Sequence, residues 1–217
     1  LLPSLSFAQQ QRADSLLLEY KKIKGLAADS TLGNSLFEIA QTYEQDSQFE
    51  LAKSYYKQSL AKYKTADLAA KSFAVFKQLG IIARKQGDYK KALANYEKAT
   101  EIAQNLNDTT ALGSCYNNMA IVYWVKGDYP HALELFQQAL LIQQKLGNKK
   151  REALTIGNIG MLYGLQENSQ KALDYYEQAL SILREIGDKR GISIFTVNTA
   201  IIYKKNGEYK EAMRLYE

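Results

Sequence analysis

Cysteine and histidine each occur once in this chain of 217 residues, as Cys115 and His131. A thiol nucleophile needs a neighbouring base and an electropositive setting that lowers its pKa. Cys115 sits in an apolar stretch with no such setting, and His131 follows Pro130 at the start of a helical pattern. The pair therefore reads as a buried thiol and a surface imidazole. A lone cysteine makes no internal disulfide, and a lone histidine removes most routes to a zinc site. Glu97 and Glu101 lack the accompanying groups that acid–base work requires. The glycines of Gly157-Asn158-Ile159-Gly160 fall inside a helical pattern and read as packing contacts, not as a phosphate loop. No catalytic residue, metal site or cofactor is expected, and the chain is read as a non-enzyme. A different chemistry comes from amides in a row. Gln78, Asn118, Asn158 and Asn198 recur at forty-residue intervals. Each carries two N–H donors and an acceptor oxygen, the set that grips the backbone of an extended peptide without reading its side chains. The competing reading is that these amides bond one another or their local backbone.

The elements that position this row follow from internal repetition, which is sought before secondary structure. Gly87-Asp88-Tyr89, Gly127-Asp128-Tyr129 and Gly207-Glu208-Tyr209 share a forty-residue grid with Ser47-Gln48-Phe49 and Glu167-Asn168-Ser169. Small residues stand at Ala40, Gly80, Ala120, Gly160 and Ala200, and alanines twelve further on at Ala52, Ala92, Ala132, Ala172 and Ala212. Aromatics follow at Tyr56, Tyr96, Phe136, Tyr176 and Tyr216. Small residues let two helices approach closely, aromatics fill the gaps between neighbouring pairs, and glycine makes the reversal. An Asp after the glycine caps the second helix. First helices are expected over 33–46, 73–86, 113–126, 153–166 and 193–206. Second helices are expected over 48–64, 88–105, 128–146 and 168–186, and again from 208. Gly147 and Gly187 stop their helices. The junction at Tyr63-Lys64-Thr65-Ala66-Asp67 lacks glycine and is expected to end less cleanly. Residues 9–24, with Ala13, Leu17 and Tyr20, read as one additional helix.

This grid resembles the tetratricopeptide repeat. Ala120, Tyr123, Gly127, Tyr129, Ala132, Phe136 and Ala139 match the motif's small, aromatic and turn positions, and the likeness covers residues 33–217. The period is forty residues where the common motif has about 34, as in the long repeats of kinesin light chains, spindle-orientation adaptors and bacterial Rap-type regulators. The resemblance implies an all-α fold, a right-handed superhelical α-solenoid of antiparallel helix pairs. Its units would span 33–72, 73–112, 113–152, 153–192 and 193–217, preceded by a helix and linker over 9–32. It also implies a concave groove lined by the first helix of each pair. On that surface would stand the amide row, the apolar residues Ile121 and Met161, the single tryptophan Trp124, and the cations Arg84 and Lys204. The implied partner is a protein or peptide in the groove. The family's carboxylate clamp is not expected, because the positions that would carry its basic residues hold Asn34, Ala74, Ser114, Leu154 and Ile194.

Composition agrees with a folded, soluble-type chain: 46% hydrophobic, 24% charged, only two prolines. The net charge of +5 is spread along the chain, so nucleic acid is not an expected partner. No apolar run reaches the length that spans a bilayer, so membrane insertion within this chain is not expected. Residues 1–8, with Ser6 and Ala8 flanking Phe7, resemble the remnant of a signal peptide. Export to the periplasm is the expectation, with a cytoplasmic location as the alternative. The functional reading is a protein- or peptide-binding module, sensory or scaffolding, of a longer exported bacterial protein with a C-terminal output domain. The alternatives are a Rap-like regulator that binds a response regulator or a signalling peptide, and an assembly scaffold.

Overall fold

A computed structural model describes residues 4–216, and among them the regular structure consists of eleven helices and no strand. Helix α1 covers Ser4–Ile23, longer at its start than the expected 9–24. Leu1, Leu2 and Pro3 of the signal-like segment lie outside the described residues, and Ser4 to Ala8 fall on α1. Then come α2 (Asp29–Gln45), α3 (Phe49–Thr65), α4 (Ala69–Lys85), α5 (Tyr89–Asn105), α6 (Thr109–Val125), α7 (Tyr129–Lys145), α8 (Lys149–Leu165), α9 (Ser169–Glu185), α10 (Lys189–Lys205) and α11 (Tyr209–Tyr216). Helices α2 to α10 each have 17 residues and are joined by three-residue turns. Two helices and two turns make the forty-residue period.

All nine turns are built alike. The middle residue takes a left-handed φ: Ser47, Asp67, Gly87, Asn107, Gly127, Gly147, Glu167, Gly187 and Gly207. The third residue donates its N–H to the carbonyl five residues back, as Asp88 does to Ala83 and Asn148 to Gln143. This is the Schellman closure of a helix end. The third residue then begins the next helix, and the side chains of Asp88, Asp128, Asn148, Asn168 and Asp188 accept the N–H three positions on. Two expectations are corrected by this geometry. The first helix of each pair begins four residues earlier than expected, and at α4, α6, α8 and α10 this is because the residue that opens the helix follows the left-handed one directly and leaves no linker. The junction at Thr65 closes as tightly as the others, with Asp67 in the left-handed region and the Leu68 N–H on the Tyr63 carbonyl at 2.9 Å.

The helices form two compact units, α1–α5 and α6–α11. In the N-terminal unit Ala13 of α1 is buried with Ile39, Ala40, Tyr56, Tyr63 and Ile82. In the C-terminal unit one cluster centres on Phe136 with Ile159 and Leu162, and another on Tyr176 with Leu183 and Phe195. The small residues of the grid are all buried. A side chain at Gly80 would lie 2.5 Å from the Tyr96 ring, and one at Gly160 2.9 Å from that of Tyr176. Close helix approach over an aromatic plug is therefore the packing rule of the first four pairs, and burying each of those rings contributes about 1.5–3 kcal/mol. Tyr216 ends the aromatic series on an exposed turn.

Candidate peptide-binding face

The first helices of the C-terminal unit, α6, α8 and α10, carry Asn118, Asn158 and Asn198 at one register position, all half-buried. Helix periodicity places the neighbours of each amide three and four residues away on the same face. Asn118 donates through Nδ2 to the Ser114 carbonyl at 2.9 Å, the local bond of the competing reading. The side-chain amides of Asn158 and Asn198 make no hydrogen bond among the described residues.

Apolar groups surround this row. Trp124 and Ile121 are half-buried, packed against Ala120, Phe136, Ile159 and Leu162. Met161 is half-buried against the cluster that holds Phe195 and Ile202. On α10 the residues Ile194, Val197 and Ile201 are 45%, 41% and 50% exposed and form one stripe. Val125 and Leu165 are exposed near the ends of α6 and α8. Lys204 is exposed on α10, and its neighbour Lys205 reaches Glu167 at 3.3 Å.

The remaining residues of the expected row belong to the N-terminal unit. Gln78 and Arg84 are half-buried on α4, in the N-terminal unit. The corresponding surface there is polar: Lys85 pairs with Glu44 at 3.0 Å, and the Tyr56 hydroxyl donates to the same carboxylate at 2.9 Å. Burial and the Glu44 charge hold the Tyr56 phenol well above its usual range. In the C-terminal unit burial pushes Tyr176 up to about 12.

The structure also separates the residues first considered for catalysis. Cys115 is fully buried on α6. His131 is exposed at the start of α7, with Nδ1 2.8 Å from both carboxylate oxygens of Asp128 and its ring stacked on Tyr123. The pairing with His131 holds the Asp128 carboxyl below its usual range. Among the described residues no group of three metal-ligating side chains comes together, and no helix is long and apolar enough to cross a membrane.

Three residues that matter at this face were not singled out by their sequence pattern: Asn117, Gln143 and Arg151. They line a cavity of about 350 Å³ with Ser114, Leu154 and Asn158. The available signal was columnar. Position 143 belongs to a column otherwise filled by Tyr63, Ala103 and Leu183, so an amide there is the exception.

Comparison with known proteins agrees with this architecture. The sequence profile of the tetratricopeptide repeat matches residues 71–145, 115–185 and 151–217, and a second profile of the same repeat matches 33–61. No curated protein sequence matches the chain. Among solved structures, BtubC (BKLC) from P. vanneervenii superposes with a TM-score of 0.81 at 20% identity, over 96% of this chain and 88% of that one. The apo form of RapI gives 0.84 at 17% identity over 96% of this chain and 58% of its own. A Rap protein complexed with competence and sporulation factor gives 0.75 at 17%, over 98% and 70%. At such identities the likeness is one of fold, an all-α solenoid of helix pairs. The repeat grid, the seventeen-residue helix pairs and the profile matches lead to one conclusion: the chain belongs to the tetratricopeptide repeat family.

Proposed function

We propose that the chain is a protein-binding module whose α6, α8 and α10 face holds an extended segment of a partner. The observation that carries this reading is the pair Asn158 and Asn198, amides without partners among the described residues, set between the apolar groups of α8 and α10. An amide offers both donor and acceptor to a peptide backbone, while Trp124, Met161 and Ile201 supply apolar area. Such a module suits a sensory or scaffolding role in a longer protein. Export through the signal-like start is part of the same proposal. The fold shared with Rap proteins, one of them complexed with competence and sporulation factor, favours a second reading as a regulator switched by a bound factor.

The test uses an array of immobilised peptides as probe and melting as control. Trp124→Ala should weaken retention by about 1–3 kcal/mol with helical content nearly intact. Asn158→Ala should weaken it by about 1 kcal/mol, since only neutral hydrogen bonds are lost. If Trp124 served the core alone, its loss would lower stability by about 3–5 kcal/mol. A Trp124→Ala protein that melts early, with Asn158→Ala binding normally, would remove this face from the binding role.

A further inference from the structure

The cavity beside Asn158 has a counterpart eighty residues earlier. In the N-terminal unit a recess of about 300 Å³ is lined by Asn34, Glu38, Tyr63 and Lys71 among others. Counting forward eighty residues gives Ser114, Asn118, Gln143 and Arg151. The earlier recess is complete in itself. Its buried polar group, the Tyr63 hydroxyl, donates to Asn34 Oδ1 at 2.9 Å. It also carries its own carboxylate, Glu38, on a wall shared with Lys71.

The later recess has neither. Gln143 is 2% exposed, and its Oε1 is buried without a hydrogen-bond partner. Buried polar atoms are nearly always paired, so an orphan acceptor on a residue that lines a cavity calls for a donor from elsewhere. The rest of the column shows that the fold does not need an amide there: Ala103 and Leu183 are both buried at the same position. No carboxylate lines this recess. Of the three cations that open α8, Lys149 pairs with Glu152 at 3.3 Å and Lys150 with Asp188 at 2.8 Å. The guanidinium of Arg151 is exposed on the rim with no carboxylate partner among the described residues. A ligand that completes the recess must bring an N–H donor and a carboxylate together, and must tolerate the apolar wall of Leu154.

We propose that this recess receives an acidic residue of the bound peptide, with Arg151 holding the side-chain carboxylate and Gln143 Oε1 accepting the backbone N–H. The inference rests on the peptide-binding reading and adds to it a charge preference and a register. Asn158 lines both the recess and the amide row, so the acidic residue sits where the extended segment crosses α8. Arginine matches the planar carboxylate through parallel N–H donors, which gives selectivity for an acid over its amide isostere.

The experiment probes the full chain with immobilised peptides blocked at both ends, each Asp or Glu sequence paired with its Asn or Gln isostere. A further set has free C-terminal carboxylates and no acidic side chains. The native protein is expected to retain acidic members about tenfold better than their isosteres, the factor that corresponds to one charged hydrogen bond. Arg151→Gln should reduce that preference to within about twofold with unchanged melting. Gln143→Leu should melt higher than the native protein, because it removes the orphan oxygen and restores the residue type found at Leu183, and should bind acidic peptides about fivefold more weakly. Acid preference that survives both substitutions, while Trp124→Ala still loses binding, overturns the recess and leaves the peptide face standing. Binding confined to the free-carboxylate set assigns the recess to a chain terminus and also overturns the proposal. Retention of no peptide at all removes both.

Discussion

Gly157 stands where the backbone of α8 meets the ring of Phe195 on α10, and a single methyl there would overlap the ring. The glycine thus brings two first helices together beneath Asn158 and sets their separation at the candidate face. Gly157→Ala should destabilise the protein by about 1–3 kcal/mol in urea denaturation, because neither the helix nor the buried ring has room to yield. A neutral substitution would mean that α8 and α10 are packed more loosely than the structure shows. At this scale the sequence was legible wherever residue type alone revealed the role. Asn118, Asn158 and Asn198 stood out because amides repeat at one register. Gln143 did not, because its meaning depends on being buried without a partner, and burial on the last turn of α7 follows from the approach of α6 at Gly113. There a side chain would lie 2.8 Å from Gln143 Nε2.

The three-residue turn governs the next scale. Its middle residue must be left-handed, and five of the nine positions are glycine. Glu167, at φ 62°, is the costliest occupant, since a side chain without local hydrogen bonding in this region costs about 1–2 kcal/mol. Its exposed contact with Lys205 contributes less than about 1 kcal/mol. The strain is the larger effect, although a glycine gives back part of the gain through the freedom of the unfolded chain. Glu167→Gly should therefore raise stability by about 0.5–1 kcal/mol, measured as a shift of the urea midpoint at constant slope. A loss of stability would show that the ion pair outweighs the backbone. The forty-residue period and the helix pairing could be read directly from Ala, Gly and aromatic spacing. The twenty-residue period of the turns was hidden, because Asp67 and Asn107 fill positions that Gly147 and Gly187 fill in the later repeats. The early starts of α4, α6, α8 and α10 were hidden with it, since a linker was allowed where the capping residue itself opens the helix.

Over the whole molecule the two units differ in what their first helices display. The N-terminal unit presents Glu44 and Lys85, with an ion pair between them and a hydrogen bond from Tyr56 already made. The C-terminal unit presents Ile194, Val197, Ile201 and Leu165 around amides without partners among the described residues. One repeat framework thus carries a surface that is satisfied and a surface that is not. Partner binding is expected on the second. Trp124 offers a direct probe of the proposal, because it is the single tryptophan of the chain and lies half-buried on α6, the first of the helices proposed to hold the partner. The decisive measurement titrates the protein with a labelled peptide retained on the array, following label anisotropy and tryptophan emission in the same sample. The emission is expected to shift saturably and in step with the anisotropy, as the peptide displaces water from the indole. Anisotropy that saturates while the emission of Trp124 stays unchanged would place the peptide elsewhere and contradict the assignment of this face.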